Sequence, residues 1–300
     1  MKRSILHMLD PMPNNSPFDI NMALDAGFDV LMPYNNVKLE SVHGLTQDAI
    51  FSRSMAGVKR TGLFIGGRNL GLAIDMFNAA KQAMIPPFAV SVFADPSGAF
   101  TTAAALVACV EKELRIKHGK ELKDCKAMIL GGTGPVGIAT GIIASLAGAH
   151  TTIVDHLYLE TAQEVGLQYN RRFGCDLHAA VAGSDNEKID VLRDVDLIFC
   201  TAKAGIQVLN AKVLKELTQL KVAGDVNAVP PLGIEGIKRE DNGAPLIYAE
   251  NCHAFAVGAL AVGDIKYHVQ HDLLVSMIET DHPVYLDFRD AFKTAQKILA

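Results

Sequence analysis

Short apolar runs with strand spacing alternate with longer runs of helical period along the whole chain. This alternation predicts an α/β protein built on mainly parallel strands. In the first third, RSILHML, DVLMPY, GLFIGG and FAVSVFAD read as strands. Between them SPFDINMALDAGFD opens like a helix: Ser16 can cap it, Pro17 suits the first helical position, and Asp19 complements the dipole. NLGLAIDMFNAAKQAM and TTAAALVACVEKELRIKHG read as two further helices, and the polar stretch KHGKELKD as a connector.

From Lys126 the alternation restarts, with KAMILG, HTTIVD, VDLIFCTA, LKVAGDV and HAFAVGALAVG as strands. The tail DFRDAFKTAQKILA sets Phe288, Ala291, Phe292, Ala295 and Ile298 at helical spacing, an amphipathic helix expected to pack back on the first domain. The expected organisation is a substrate domain of residues 1–120 completed by a C-terminal helix in 272–300, and a Rossmann-like domain of residues 121–271.

The middle segment KAMILGGTGPVGIATGIIASLAGAHTTIVDH carries the most specific chemistry. Gly132, Thr133, Gly134, Pro135, Val136 and Gly137 fit G-x-G-x-x-G between a strand and a helix, and the next strand ends on Asp155. The first glycine is expected to make the tight turn, the second to let backbone N–H groups approach a diphosphate, and the third to bring helix and strand together. Pro135 suits the helix entry, whose positive end favours phosphate. Asp155 stands 18 residues beyond Gly137, near the place of the acid that binds a ribose 2′-hydroxyl. That favours NAD, while the adjoining His156 and the later Arg171 and Arg172 keep NADP open.

Composition narrows the remaining classes. The net charge of -5 and the lack of a basic block argue against nucleic acid, and no apolar run is long enough to span a bilayer. The start lacks the pattern of a signal peptide. The five cysteines are scattered and read as reduced structural thiols of a cytoplasmic protein. His268 and His271, with Asp264 and His282, lack a ligand spacing for metal.

Substrate groups are expected at the carboxyl ends of strands. Asp95 ends VSVFAD and is either a helix cap or part of the reacting site. Thr201 and Ala202 in TAKAG end another strand and can line the nicotinamide side. In GDVNAVPPLGI, Asp225 and Asn227 precede a rigid Pro-Pro loop, and Lys266 follows GALAVGDI. Tyr34 and Lys38 have Tyr-x-x-x-Lys spacing, but Asn35-Asn36 suggests a turn, so the two need not share a face.

SILHML, LTQDAIFSR, TGLFIGG, FADPSGAFTTAAALVA, GGTGPVG, GDVNAVPPLGI, GALAVGDIKY and LDFRDA together resemble the methylene-tetrahydromethanopterin dehydrogenases of methylotrophic bacteria, nearly end to end. The resemblance is greater to the branch using NAD or NADP than to the strictly NADP-dependent one. It implies two α/β domains with a cleft between them, the second Rossmann-like. It also implies reversible transfer of hydride from methylene-tetrahydromethanopterin to NAD(P), a step of formaldehyde oxidation, in a homo-oligomer.

The reacting carbon lies between two nitrogens that expel hydride, so no proton moves and no general base is required. Asp95, Asp225 and Lys266 are the expected catalytic contributors through charge and positioning. Ser16, Asp19, Tyr34, Ser97, Thr102 and Asn227 are the expected substrate contacts, with Asn227 also near the cofactor. Methylene-tetrahydrofolate as substrate, and a non-catalytic NAD(H) sensor, are the alternatives.

Overall fold

The computed structural model describes residues 3–300. It divides into two compact units, Met1–Thr101 with Tyr267–Thr294, and Thr102–Lys266 with Ala295–Ala300. The changes of unit fall inside helices. No helix among the described residues is long and apolar enough to cross a membrane.

The first unit contains strands β1 (Ile5–Leu9), β2 (Val30–Tyr34), β3 (Thr61–Ile65) and β4 (Ser91–Ala94), interleaved with helices α1 (Pro17–Asp25), α2 (Leu39–Phe51), α3 (Met55–Val58) and α4 (Leu70–Gln82). Helix α5 (Ala99–His118) starts in this unit and continues into the second. All neighbours in this sheet are parallel, in the order β2-β1-β3-β4. β3 and β4 are buried at every position, as unbroken apolar strands covered on both faces should be. Phe64 and Phe93 meet edge to face on them, ring centroids 5.5 Å apart.

The second unit carries β5 (Lys126–Leu130), α6 (Pro135–Leu146), β6 (His150–Asp155), α7 (Leu159–Phe173), β7 (Leu177–Val181), α8 (Asp185–Leu192), β8 (Leu197–Cys200), α9 (Ala211–Lys215), β9 (Val222–Asp225), β10 (Asn242–Pro245) and β11 (Phe255–Val257). Its sheet runs β10-β11-β9-β8-β5-β6-β7, with only β10 antiparallel. From β7 to β11 this is the doubly wound dinucleotide-binding order, which reverses between β5 and β8. The apolar face of α5 lies so close to β9 that a Cβ at Gly224 would stand 2.7 Å from Leu106 Cδ1. Glycine there lets the strand meet the helix side chains without displacing them.

Helix α10 (Ala259–Glu279) corrects one expectation: HAFAVGALAVG is a strand only over Phe255–Val257, and Ala259 already opens the helix. Gly258 is the hinge because a Cβ there would meet the carbonyl of Arg239 at 2.5 Å. The chain then returns to the first sheet. β12 (Tyr285–Leu286) pairs with β4, and the tail helix α11 (Phe288–Ile298) sets Phe288 edge-on against Phe100, 5.5 Å between ring centroids.

Candidate functional site

The glycine loop joins β5 to α6 at the point where the second sheet reverses its strand order. The loop is shaped by steric necessity, and its glycines divide the work differently from the expectation. The residue with left-handed backbone is Gly131, at φ 76°, so the sharp turn belongs to it and not to Gly132. A Cβ on Gly131 would lie 2.8 Å from the backbone of Ala202, and one on Gly132 would lie 2.7 Å from Ile153 Cβ. Gly132 is therefore the packing glycine against β6. Gly137 has the expected close-packing role, since its Cβ would collide with Gly131 O and stand 2.8 Å from Thr201 Oγ1.

Gly134 is different. It is the N-cap of α6, and the nearest atom to an added Cβ is 3.5 Å away. Pro135 occupies the first turn, and no side chain caps the helix. The N–H groups of that turn, starting at Val136, are left for an incoming anion. Thr201 holds the far wall, donating from Oγ1 to the carbonyls of Leu130 (3.0 Å) and Gly131 (3.2 Å).

Thr133, Gly134, Asp155, Gly183, Thr201 and Ala202 line a cavity of about 650 Å³ within the second unit. Asp155 is buried, and its carboxylate accepts from Leu157 N (2.8 Å), Tyr158 N (3.0 Å) and Thr133 Oγ1 (2.9 Å). Burial pushes its pKa up, but these hydrogen bonds and the adjoining His156 outweigh it and hold the carboxyl below the usual range. The expected basic residues Arg171 and Arg172 sit in the last turn of α7 and do not line the cavity. The cationic side chains that do are Lys188 and Lys203, with His156 beside them. A nicotinamide dinucleotide fits this site: an open glycine under a free helix terminus, a carboxylate at the end of the second strand, and a cavity of dinucleotide size.

The loop after β9 is a clamp. Asp225, 1% exposed, accepts from Asn227 N (2.9 Å) and Ile234 N (3.0 Å). Burial raises its pKa against those donors. Asn227 is committed as well, accepting from Gly205 N (3.2 Å) and Val229 N (2.9 Å) and donating to Pro231 O (3.0 Å). Both side chains shape the loop that faces TAKAG. Lys266 is half-buried on α10, and Thr102 on α5.

In the first unit the sheet order reverses between β1 and β3, and the polar groups gather beyond the ends of those strands. Asp95 is fully buried and accepts from Phe100 N (2.9 Å), Thr101 N (3.2 Å) and Thr101 Oγ1 (2.6 Å). These are the bonds of a cap on α5, with Thr101 as the threonine that meets Asp95. Ser97 sits at φ 53° and donates to Gly67 O at 2.8 Å, an uncommon conformation for a residue with a side chain.

Ser16 caps α1 as expected, accepting from Asp19 N. Asp19 is buried and accepts from Gln270 Nε2 at 2.8 Å, a partner 251 residues away. Tyr34 ends β2 with its hydroxyl 3.1 Å from His7 Nδ1, while Lys38 precedes α2, so the Tyr-x-x-x-Lys pair spans a turn. Asp10, which the sequence did not single out, is buried at the end of β1 and accepts from Met12 N at 2.7 Å. Its pKa is raised by burial. A Cβ on Gly66 would stand 2.6 Å from its Oδ2, a close approach visible only in three dimensions.

Among the described residues no three or more His, Cys, Asp or Glu side chains are gathered as metal ligands. Residues 17–97 match the family described as methylene-tetrahydromethanopterin dehydrogenase, N-terminal. The chain is 44% identical over 298 residues to the NAD(P)-dependent methylenetetrahydromethanopterin dehydrogenase of Methylorubrum extorquens, covering 99% of both chains.

The chain belongs to the methylene-tetrahydromethanopterin dehydrogenase family.

A more distant relative in the same organism, the bifunctional protein MdtA, is 29% identical over 99% of this chain and 100% of its own. Among solved structures, the shikimate 5-dehydrogenase of Listeria monocytogenes in complex with shikimate and NAD superposes with TM-score 0.53 at 13% identity, covering 99% of this chain and 96% of that one. At that identity the likeness concerns the fold alone.

Proposed function

We propose that this protein catalyses the reversible oxidation of methylene-tetrahydromethanopterin to the methenyl form with NAD(P)+ as acceptor. The observation that carries it is the 44% identity sustained over 99% of the chain, joined to a glycine loop whose geometry suits a dinucleotide. When bound, the nicotinamide supplies the ring carbon that takes hydride.

The chain's own residues bind and position. The uncapped first turn of α6 receives the diphosphate, Gly134 leaves it room, and Asp155 offers its carboxylate toward the adenosine ribose. Thr201 and Ala202, packed on Gly131, fix the wall beside the loop. The Asp225–Asn227 clamp stiffens the neighbouring loop.

In the first unit, the groups beyond β1, β3 and β4 supply the pterin contacts, with Asp19, Tyr34 and Ser97 among them. Because departure of hydride moves no proton, buried carboxylates committed to backbone N–H groups, such as Asp95 and Asp225, suit a site that works by alignment and fixed charge. Lys266 and Thr102 are further candidate contacts.

The same reading takes the protein as a cytoplasmic homo-oligomer. Free cysteines support the compartment. Large exposed apolar side chains such as Phe18, Met32 and Phe51 support self-association, which light scattering checks. The activity is tested by following reduced cofactor at 340 nm with purified methylene-tetrahydromethanopterin and, side by side, methylene-tetrahydrofolate. Turnover with the methanopterin substrate supports the proposal. Turnover with folate alone redirects it to the folate reaction, and binding without turnover on either leaves a nucleotide sensor.

A further inference from the structure

We infer that Lys188 holds the adenosine 2′-phosphate of NADP, and that this one ammonium lets a cleft with an acid at the end of β6 accept both cofactors. The inference rests on the dinucleotide reading of the second unit and names the residue responsible for its breadth.

Asp155 stands where an acidic residue receives a ribose 2′-hydroxyl. Its hydrogen bonds keep it ionised, so a phosphate at that hydroxyl meets a fixed negative charge at close range. Breadth then requires a cation nearby that is not already spent. The expected arginines are not available, since they lie in the last turn of α7.

Lys188 meets the requirement by position: the one neighbouring carboxylate whose charge it feels is Glu187, and the two form no ion pair. It lies on α8, half-buried, and lines the same cavity as Asp155, His156 and Gly183. The loop leading to α8 abuts the end of β6: a Cβ on Gly183 would stand 2.8 Å from the carbonyl of His156. Lys188 therefore shares the rim with the carboxylate that marks the 2′ position. The neighbouring carboxylate, Glu187, is occupied by the capping box, taking hydrogen bonds from Gly183 N (3.0 Å) and Ser184 N (2.8 Å). Among the described residues Lys188 forms no side-chain ion pair. Lys203, the other lysine of the cavity, follows β8 on the opposite side of the switch point from β6 and β7.

The test is direct binding, read by NADH and NADPH fluorescence and repeated with the fragments 5′-AMP and 2′,5′-ADP as competitors. In Lys188→Ala the dissociation constant for NADPH should rise about tenfold or more, the loss of one charge-assisted phosphate contact, with NADH changed less than about twofold. Lys188→Arg should keep NADPH binding. The affinity ratio of 2′,5′-ADP to 5′-AMP should fall in the alanine variant by the same factor as NADPH. Equal losses for both cofactors, no loss for either, or a selective NADPH loss in Lys203→Ala instead would overturn the assignment. If the wild-type chain binds neither cofactor, the dinucleotide reading itself fails, and that outcome is separate from the others.

Discussion

Thr133 donates its hydroxyl to Asp155 at 2.9 Å, so the phosphate-facing loop is tied to the acid that ends the next strand. The bond couples the two ends of the adenosine-diphosphate site. Thr133→Val keeps the volume and removes the donor. NADH affinity should fall about three- to tenfold, near the value of one hydrogen bond, with little change in melting temperature. Isothermal titration beside a melting curve checks both halves; a large drop in Tm would mean that the bond serves the fold instead.

Two glycine substitutions should separate packing from binding. Gly137→Ala drives a Cβ into Gly131 O and the backbone of Gly132, so the loop must open. It should lose about 1–3 kcal/mol of stability, together with cofactor affinity. Gly134→Ala meets nothing closer than 3.5 Å and should fold normally, yet bind dinucleotide more weakly because the backbone is shielded. Urea unfolding and fluorescence titration distinguish the two.

Asp225→Ala removes the acceptor of buried N–H groups at Asn227 and Ile234. A loss of about 2–4 kcal/mol is expected from the orphaned donors and the vacated space. Cofactor binding should weaken with it, because Asn227 no longer holds Gly205 in register. Normal stability in chemical denaturation would remove the clamp.

Asp95→Ala strips the cap of α5 and leaves Phe100 N and Thr101 N without a buried acceptor. Destabilisation of about 2 kcal/mol or more should accompany any fall in turnover. Stability unchanged with kcat abolished would restore Asp95 as a direct participant in the chemistry.

Acid should act on Asp155 with a definite sign. Its folded pKa lies below the ordinary 3.8, so the stability it contributes is present above that value and is lost as pH falls through the folded pKa. The stability difference between wild type and Asp155→Asn should therefore shrink below about pH 4, as measured by denaturation across pH 3–7. A difference constant over that range would refute the assignment.

Local chemistry carried far in this chain. The strand runs, the Ser16 cap, the Pro135 entry and the terminal helix each depend on residues within a few positions of one another. Those elements stand where the patterns put them, except that HAFAVGALAVG turns from strand to helix after Val257. α2 and β7 were not read, because their polar and apolar residues lack a clean period and their burial comes from neighbours.

Which group does what was decided elsewhere. Gly131 is pressed by Ala202, which arrives from the loop after β8, and Asp10 matters because Gly66 lies against it. Asp19 finds Gln270, and Asp225 finds Ile234, through folding alone. A sequence written in order specifies torsions, caps and periods, since these are short-range preferences. Burial, hydrogen-bond partners and charge neighbours depend on distance in space, and only the packed chain sets those distances.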